Sequence, residues 1–180
     1  MGQYYMPVIK RGSVLQKAYS HNFDNGLKLT EHSYVGNQFV NVVANELVEN
    51  PAQLYWCGDY AEEADFPSKY MFNKIYSYAW RKDSETTIEN PSTYFDWSKD
   101  WYYINETKKE YILMPKEGDW VFTPLSLLTA VGNGRGGGDY RKGSEMVGYW
   151  RGDKVYLSLN KPDNKYADIT PSVDFGNEDW

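Results

Sequence analysis

Between Gly132 and Tyr140 the chain reads Gly132-Asn133-Gly134-Arg135-Gly136-Gly137-Gly138-Asp139-Tyr140, with five glycines in seven consecutive positions. Each glycine loses more backbone freedom on ordering than any other residue. Such a stretch is therefore either mobile or approached so closely by something that side chains have no room. Its charged pair is Arg135 and Asp139. A guanidinium can fork onto a carboxylate or a phosphate, which makes Asn133, Arg135, Asp139 and Tyr140 the candidate ligand- or partner-binding residues. The same arginine can instead pair with Asp139 or another acid and merely pin the loop.

Named phosphate motifs do not fit this loop. Gly132-x-Gly134-x-x-Gly137 matches the dinucleotide pattern in form, but that pattern needs a helix to follow, and Asp139 to Gly143 is a poor helix start. Upstream, Thr123 is an N-cap, Pro124 an N1 residue and Gly132 a C-terminal cap for a short helix over Leu125–Val131. The loop then sits at the negative end of that helix dipole, which disfavours a phosphate. Gly138 and Gly143 have P-loop spacing, but Ser144 stands where the lysine must be. A single Arg-Gly-Gly unit in an acidic chain does not argue for RNA binding.

A catalytic reading draws on His32, Asp59 and Asp139, with Arg135 nearby. His32 could act as a base near neutral pH, and paired carboxylates could share acid and base roles if they approach closely. The competing roles are local capping or surface exposure for His32 and an Asx-turn for Asp59. His21, His32 and Cys57 cannot build a closed zinc site, and Asp163, Asn164 and Asp174 lack the ligand series of a calcium loop. No metal and no cofactor are expected. Cys57 reads as a small buried residue in a strand, and would be a nucleophile only with His32 beside it. Arg151-Gly152-Asp153, Asp174-Phe175-Gly176 and Asn105-Glu106-Thr107 match short motifs without the context that would give them meaning.

The elements that position these residues follow from pattern. Tyr4–Ile9 and Val14–Tyr19 form a hairpin around Arg11-Gly12, with Pro7 placing the first strand at a sheet edge. Val35, Phe39, Val43 and Leu47 recur every four residues and predict a helix that Asn50-Pro51 stops. Gln53–Cys57 is a short strand. A second helix starts near Pro67 and buries Phe72, Ile75, Tyr76 and Ala79. Arg81–Asp100 reads as a long loop. Trp101–Ile104 and Tyr111–Met114 form a second hairpin. A third pairs Met146–Trp150 with Val155–Leu159 across a Gly152-Asp153 turn. The order predicts an α+β fold, a mainly antiparallel sheet built from hairpins with two principal helices packed on it, in one domain over 1–180. The polar stretch 161–180, ending Glu178-Asp179-Trp180, is a candidate flexible acidic tail.

Composition bounds the partners. The 180 residues carry 19 Lys+Arg against 25 Asp+Glu, a net charge of −6, which does not favour nucleic acid. No apolar run approaches a membrane span, and Met1 to Pro7 resembles neither a signal peptide nor a myristoylation site. A single cysteine excludes an internal disulfide framework, and cytoplasmic residence is expected. Aromatic residues make up 17%, with 17 Tyr, 7 Trp and 7 Phe. They suit either half-buried strands or a recognition surface.

Several phrases occur in order: Gly26-Leu27-Lys28-Leu29 with Glu31-His32-Ser33, Trp56-Cys57-Gly58-Asp59-Tyr60, Asn105 to Tyr111, and Pro124 to Ala130 running into the glycine loop. Together they resemble a family of small bacterial and phage proteins with no assigned activity. The resemblance transfers no catalytic role. It implies a mobile-element setting, in which small proteins inhibit host defence systems in the manner of an anti-CRISPR. The expectation is a macromolecule-binding protein with a protein partner. The alternative is a small enzyme or ligand-binding domain with a polar cleft beside Gly132–Tyr140.

Overall fold

The computed structural model describes residues 1–81, 83–89, 94–114, 121–141 and 145–176. Strands β1 (Tyr5–Arg11) and β2 (Val14–Lys17) form the first hairpin, turning at Gly12 with φ +58. Helix α1 (Leu29–His32) is one turn. Helix α2 (Gln38–Leu47) starts where the Asn37 side chain accepts the Phe39 N–H and ends before Asn50-Pro51. Strand β3 (Ala52–Gly58) follows, then α3 (Lys69–Trp80), whose first turn is held by the Ser68 hydroxyl accepting the Met71 N–H. The Arg81–Asp100 stretch has no helix or strand among its described residues, yet it lowers Ile88 and Phe95 into the core. Strands β4 (Tyr102–Asn105) and β5 (Glu110–Leu113) form a hairpin. Helix α4 (Pro124–Thr129) and strands β6 (Ala130–Val131), β7 (Lys154–Ser158) and β8 (Ala167–Asp168) complete the chain.

The strands join one sheet in the order β2-β1-β3-β7-β4-β5-β8, with β6 beside β3. All pairs are antiparallel except β3 with β6 and β5 with β8. The fold is α+β. One face carries Tyr5, Ile9, Leu54, Trp56, Tyr103, Ile112, Val155 and Leu157 into the larger core, where they meet Phe39, Val43 and Leu47 of α2 and Leu125 and Leu128 of α4. The other face puts Met6, Val8, Tyr55 and Cys57 under Ile75 and Ala79 of α3. Each large apolar side chain fully buried this way contributes about 1.5–3 kcal/mol. Further along that second face, alternation brings Tyr156 of β7, Tyr102 and Ile104 of β4 and Tyr111 and Leu113 of β5 together, and the Tyr102 and Tyr111 rings meet edge to face at 5.8 Å.

Three local expectations are corrected. Pro7 does not mark an edge, because β1 lies between β2 and β3. The Pro7 backbone faces β2, where its carbonyl accepts the Ala18 N–H at 3.4 Å just beyond the last β2 residue. The missing donor therefore falls at the end of that ladder and costs the β3 ladder nothing. Met146–Trp150 is not a strand. Gly148 and Trp150 donate their N–H groups to Leu127 and Leu128 carbonyls of α4, Gly148 takes φ +76, and β7 pairs with β3 and β4 instead. A turn is present one residue earlier than expected, closed by the Asp153 N–H on the Trp150 carbonyl. The helix before the glycine loop stops at Thr129, and Ala130-Val131 becomes β6.

The chain after Lys161 returns to the sheet. β8 lies beside β5, Val173 is buried, and the Phe175 carbonyl accepts the Phe122 N–H. Gly143, Ser144 and Glu178-Asp179-Trp180 lie outside the described residues. Among the described residues no helix is long and apolar enough to cross a membrane.

Candidate functional site

The short α4 delivers the chain to β6, which clips onto β3 through the pairs Trp56↔Ala130 and Cys57↔Val131. The glycine loop thus starts from a strand seated against the middle of the sheet. Gly132 turns the chain at φ +86, and a Cβ there would lie 2.9 Å from the Ala61 Cα. At Gly136 a Cβ would lie 2.7 Å from the Gln3 nitrogen, and at Gly138 2.6 Å from the Lys28 side chain. The close approach that so many glycines demand is made, at these three, by the chain's own residues. Gly134 differs: at φ +96 it is exposed and a Cβ would meet nothing within 4 Å.

Asp139 organises the loop. Its Oδ2 accepts the N–H groups of Gly134 (2.6 Å), Arg135 (2.9 Å) and Gly136 (3.1 Å), and its Oδ1 accepts the Tyr5 hydroxyl at 2.9 Å. Successive N–H groups converging on one carboxylate form an anion nest, and this one is filled by the loop's own acid. Asp139 is buried. Burial first, and then the Asp139 charge, pushes the Tyr5 phenol far above its ordinary value. The Asn133 side chain closes the ring: its Nδ2 donates to the Tyr140 carbonyl at 3.1 Å and its Oδ1 accepts the Tyr140 N–H at 2.9 Å. The Tyr140 hydroxyl, buried, bonds with the Ser126 hydroxyl at 2.7 Å.

The Arg135 side chain leaves the loop and forks onto Asp65. Nη2 donates to Oδ1 at 2.9 Å and Nη1 to Oδ2, while Nη1 also reaches the Tyr60 carbonyl at 3.0 Å. The Asp65 hydrogen bond raises the Arg135 pKa. Burial works to raise Asp65, but the Arg135 hydrogen bond and charge overcome it and hold that carboxyl below its ordinary value. Asp59 exchanges bonds with Tyr4: its Oδ1 accepts the Tyr4 N–H and its own N–H reaches the Tyr4 carbonyl, both at 2.9 Å. Burial raises the Asp59 carboxyl, the Tyr4 N–H opposes this, and the nearby Asp139 charge adds to it.

Asp59, Arg135 and Asp139 therefore gather around the start of β1, and His32 does not join them. His32 is fully buried in the larger core. Its Nε2 accepts the Trp56 indole N–H at 2.9 Å and its Nδ1 lies 2.9 Å from the Gly26 carbonyl. An indole N–H only donates and a carbonyl only accepts, so the imidazole is neutral with its proton on Nδ1. Burial pulls its pKa down to about 4. Both ring nitrogens are occupied, which leaves neither for a substrate. Cys57 points to the opposite face of β3, and burial pushes its thiol up. Among the described residues no three His, Cys, Asp or Glu side chains are grouped to hold a metal.

A cavity of about 270 Å³ lies beside the loop, lined by Gly132, Asn133, Gly134 and Tyr140 with Asp65 and Arg151. The residues that sequence reasoning missed here are Tyr5 and Asp65. They lie 134 and 70 positions from their partners, so no local spacing signals them. Compared with family models, curated protein sequences and solved structures, the chain matches none.

Proposed function

We propose that this is a binding protein that presents the rim of the glycine loop to a protein partner. The rim consists of the exposed Gly134, Arg135 and Gly137 with Tyr4 beside them. Tyr4 is 41% exposed and lies two residues from Gly2, which bridges Gly137. The observation that carries the reading is the fourfold donation onto Asp139. It fixes the backbone from 134 to 136 before any partner arrives, so that little ordering entropy is lost on association. A catalytic role has less support, because the His32 nitrogens and the Asp139 oxygens are already engaged by internal partners. The resemblance to small bacterial and phage proteins makes an effector of a host defence system the partner class to test first.

The experiment is capture from a bacterial lysate on the immobilised chain, compared with Gly137→Gln and Tyr4→Ala. Gly137 has ordinary backbone, and a Cβ there meets only the Met1 carbonyl at 3.7 Å and Gly2 at 3.8 Å. Its substitution blocks the rim without straining it. Loss of the same retained protein in both variants, with unchanged circular dichroism, is the expected result. Equal retention by both variants would overturn the assignment of this surface. A copurifying small molecule that Asp59→Asn releases would favour the enzyme or ligand-binding alternative.

A further inference from the structure

Lys10, Gln53 and Lys154 are direct neighbours across β1, β3 and β7. Adjacent strands lie about 4.7–4.9 Å apart, so the two lysines flank one amide with their Cα atoms roughly 10 Å from each other. The three line a pocket of about 450 Å³ whose walls add Arg11, Gly12 and Thr107. That volume suits a small ligand, in contrast to a flat protein contact.

The polar groups here are held in position, and of the two lysines only Lys154 faces a carboxylate. Gln53 is fixed, with its Nε2 on the Gly152 carbonyl and its Oε1 accepting the Lys10 ammonium, both at 3.0 Å. Lys10 has no carboxylate partner among the described residues. Lys154 stands 3.6 Å from Glu106 but is more than half exposed, a pair that solvent weakens. Arg11 lines the pocket, but strand alternation sends its guanidinium to the opposite face of the sheet, where it donates to the Glu46 and Asn50 carbonyls at the end of α2 with the Glu46 carboxylate at 3.8 Å. The Thr107 hydroxyl accepts the Lys154 N–H at 3.0 Å, which leaves its own proton to donate. Gly12, at φ +58 with open space around it, keeps the rim clear. Two lysine ammonium groups thus share one concavity in a chain whose net charge is −6.

We infer that this pocket binds a compact polyanion of the diphosphate class. Lys10 and Lys154 would close on adjacent phosphate groups from either side, with Thr107 donating. Ammonium groups on flexible stems are point charges that can converge in this way. The site is separate from the loop rim, and neither reading depends on the other.

The test is titration of the full chain with sodium pyrophosphate, ADP and orthophosphate, read by calorimetry and amide NMR at low salt. Pyrophosphate should bind, shift the amides of Lys10, Gly12 and Lys154, and weaken as salt rises. Lys10→Ala and Lys154→Ala should each weaken it by about tenfold, whereas Lys74→Ala on α3 should not. ADP binding no tighter than pyrophosphate identifies the bare diphosphate as the ligand chemistry, and tighter binding identifies a nucleotide. The inference fails if neither compound binds, if orthophosphate binds as tightly as pyrophosphate, or if both lysine variants bind as well as the parent chain.

Discussion

Arg135 in the glycine loop meets a carboxylate with both arms of its fork, whereas Lys10 in the pocket between β1 and β7 meets only a neutral amide. Asp139 accepts four donors, while the Thr107 hydroxyl accepts one and keeps its proton. The loop is the more conspicuous feature in the sequence, yet most of its polar capacity is committed inside the molecule. The pocket draws no notice in the sequence, because its residues are 43 and 101 positions apart along the chain, and its Lys154 side chain is more than half exposed. An unusual composition therefore marks where the backbone is constrained. Capacity for a ligand has to be read from which groups lack an internal partner.

The sharpest break in this comparison is Asp139→Ala. It removes one buried acceptor from three N–H groups and the Tyr5 hydroxyl. Several donors left unmatched should cost about 3 kcal/mol or more, measured as a fall in the urea midpoint. A loss below about 1 kcal/mol would mean that the carboxylate does not hold the loop.

His32 extends the committed side and gives it a pH dependence. The ordinary imidazole pKa is 6.5, and burial lowers it to about 4 in the folded chain. Between those values the unfolded chain takes up a proton that the folded chain refuses. Stability is therefore complete above about pH 6.5 and falls as pH drops toward 4. Below that this residue adds no further loss, and the gap corresponds to about 3 kcal/mol. Denaturant melts from pH 7 to 4 should show the slope, and His32→Gln should flatten it. An unchanged slope in the variant would show that other groups carry it.

Local chemistry made much of the fold legible. The four-residue stripe from Phe39 to Leu47 and the stop at Asn50-Pro51 describe α2, with Val35 falling ahead of the Asn37 cap, and Thr123-Pro124 starts α4 as a cap and first turn should. The second hairpin follows from its apolar runs and the turn chemistry between them. What local pattern could not supply was the choice of partner. Met146–Trp150 alternates well enough for a strand, but the carbonyls of Leu127 and Leu128 in the last turn of α4 take its N–H groups first. Pro7 reads as an edge marker, and only the length of β2 reveals that its missing donor faces the end of a ladder. At the site, the Asn133–Tyr140 clamp and the Asp139 nest are within one loop and were legible as candidate residues. Tyr5 and Asp65 reach it through the sheet, and no sequence period encodes that meeting.

Within the loop, three alanine substitutions grade the comparison. Gly132→Ala combines φ +86 with a clash against the Ala61 backbone and should cost about 2 kcal/mol. Gly134→Ala has open space but φ +96, so strain alone should cost about 1 kcal/mol. Gly137→Ala has neither problem and should fall within about 0.5 kcal/mol of the parent. Equal losses at all three, measured by urea unfolding, would show that something other than close approach and backbone hand sets the loop.

The smallest expected effects belong to the pocket. Lys10→Ala removes a single hydrogen bond to Gln53, and Lys154→Ala a partly exposed ion pair with Glu106. Each should leave unfolding stability within about 0.5 kcal/mol of the parent. Removing one of two like charges from the same concavity also relieves repulsion, so a slight stabilisation in the absence of ligand is the expected sign. Pyrophosphate should raise the melting temperature of the parent chain more than that of either variant at the same concentration, because stabilisation by mass action follows the ligand concentration relative to Kd. If Lys10→Ala instead destabilises the chain as strongly as Asp139→Ala, Lys10 is part of the internal framework, and the contrast between the two regions disappears.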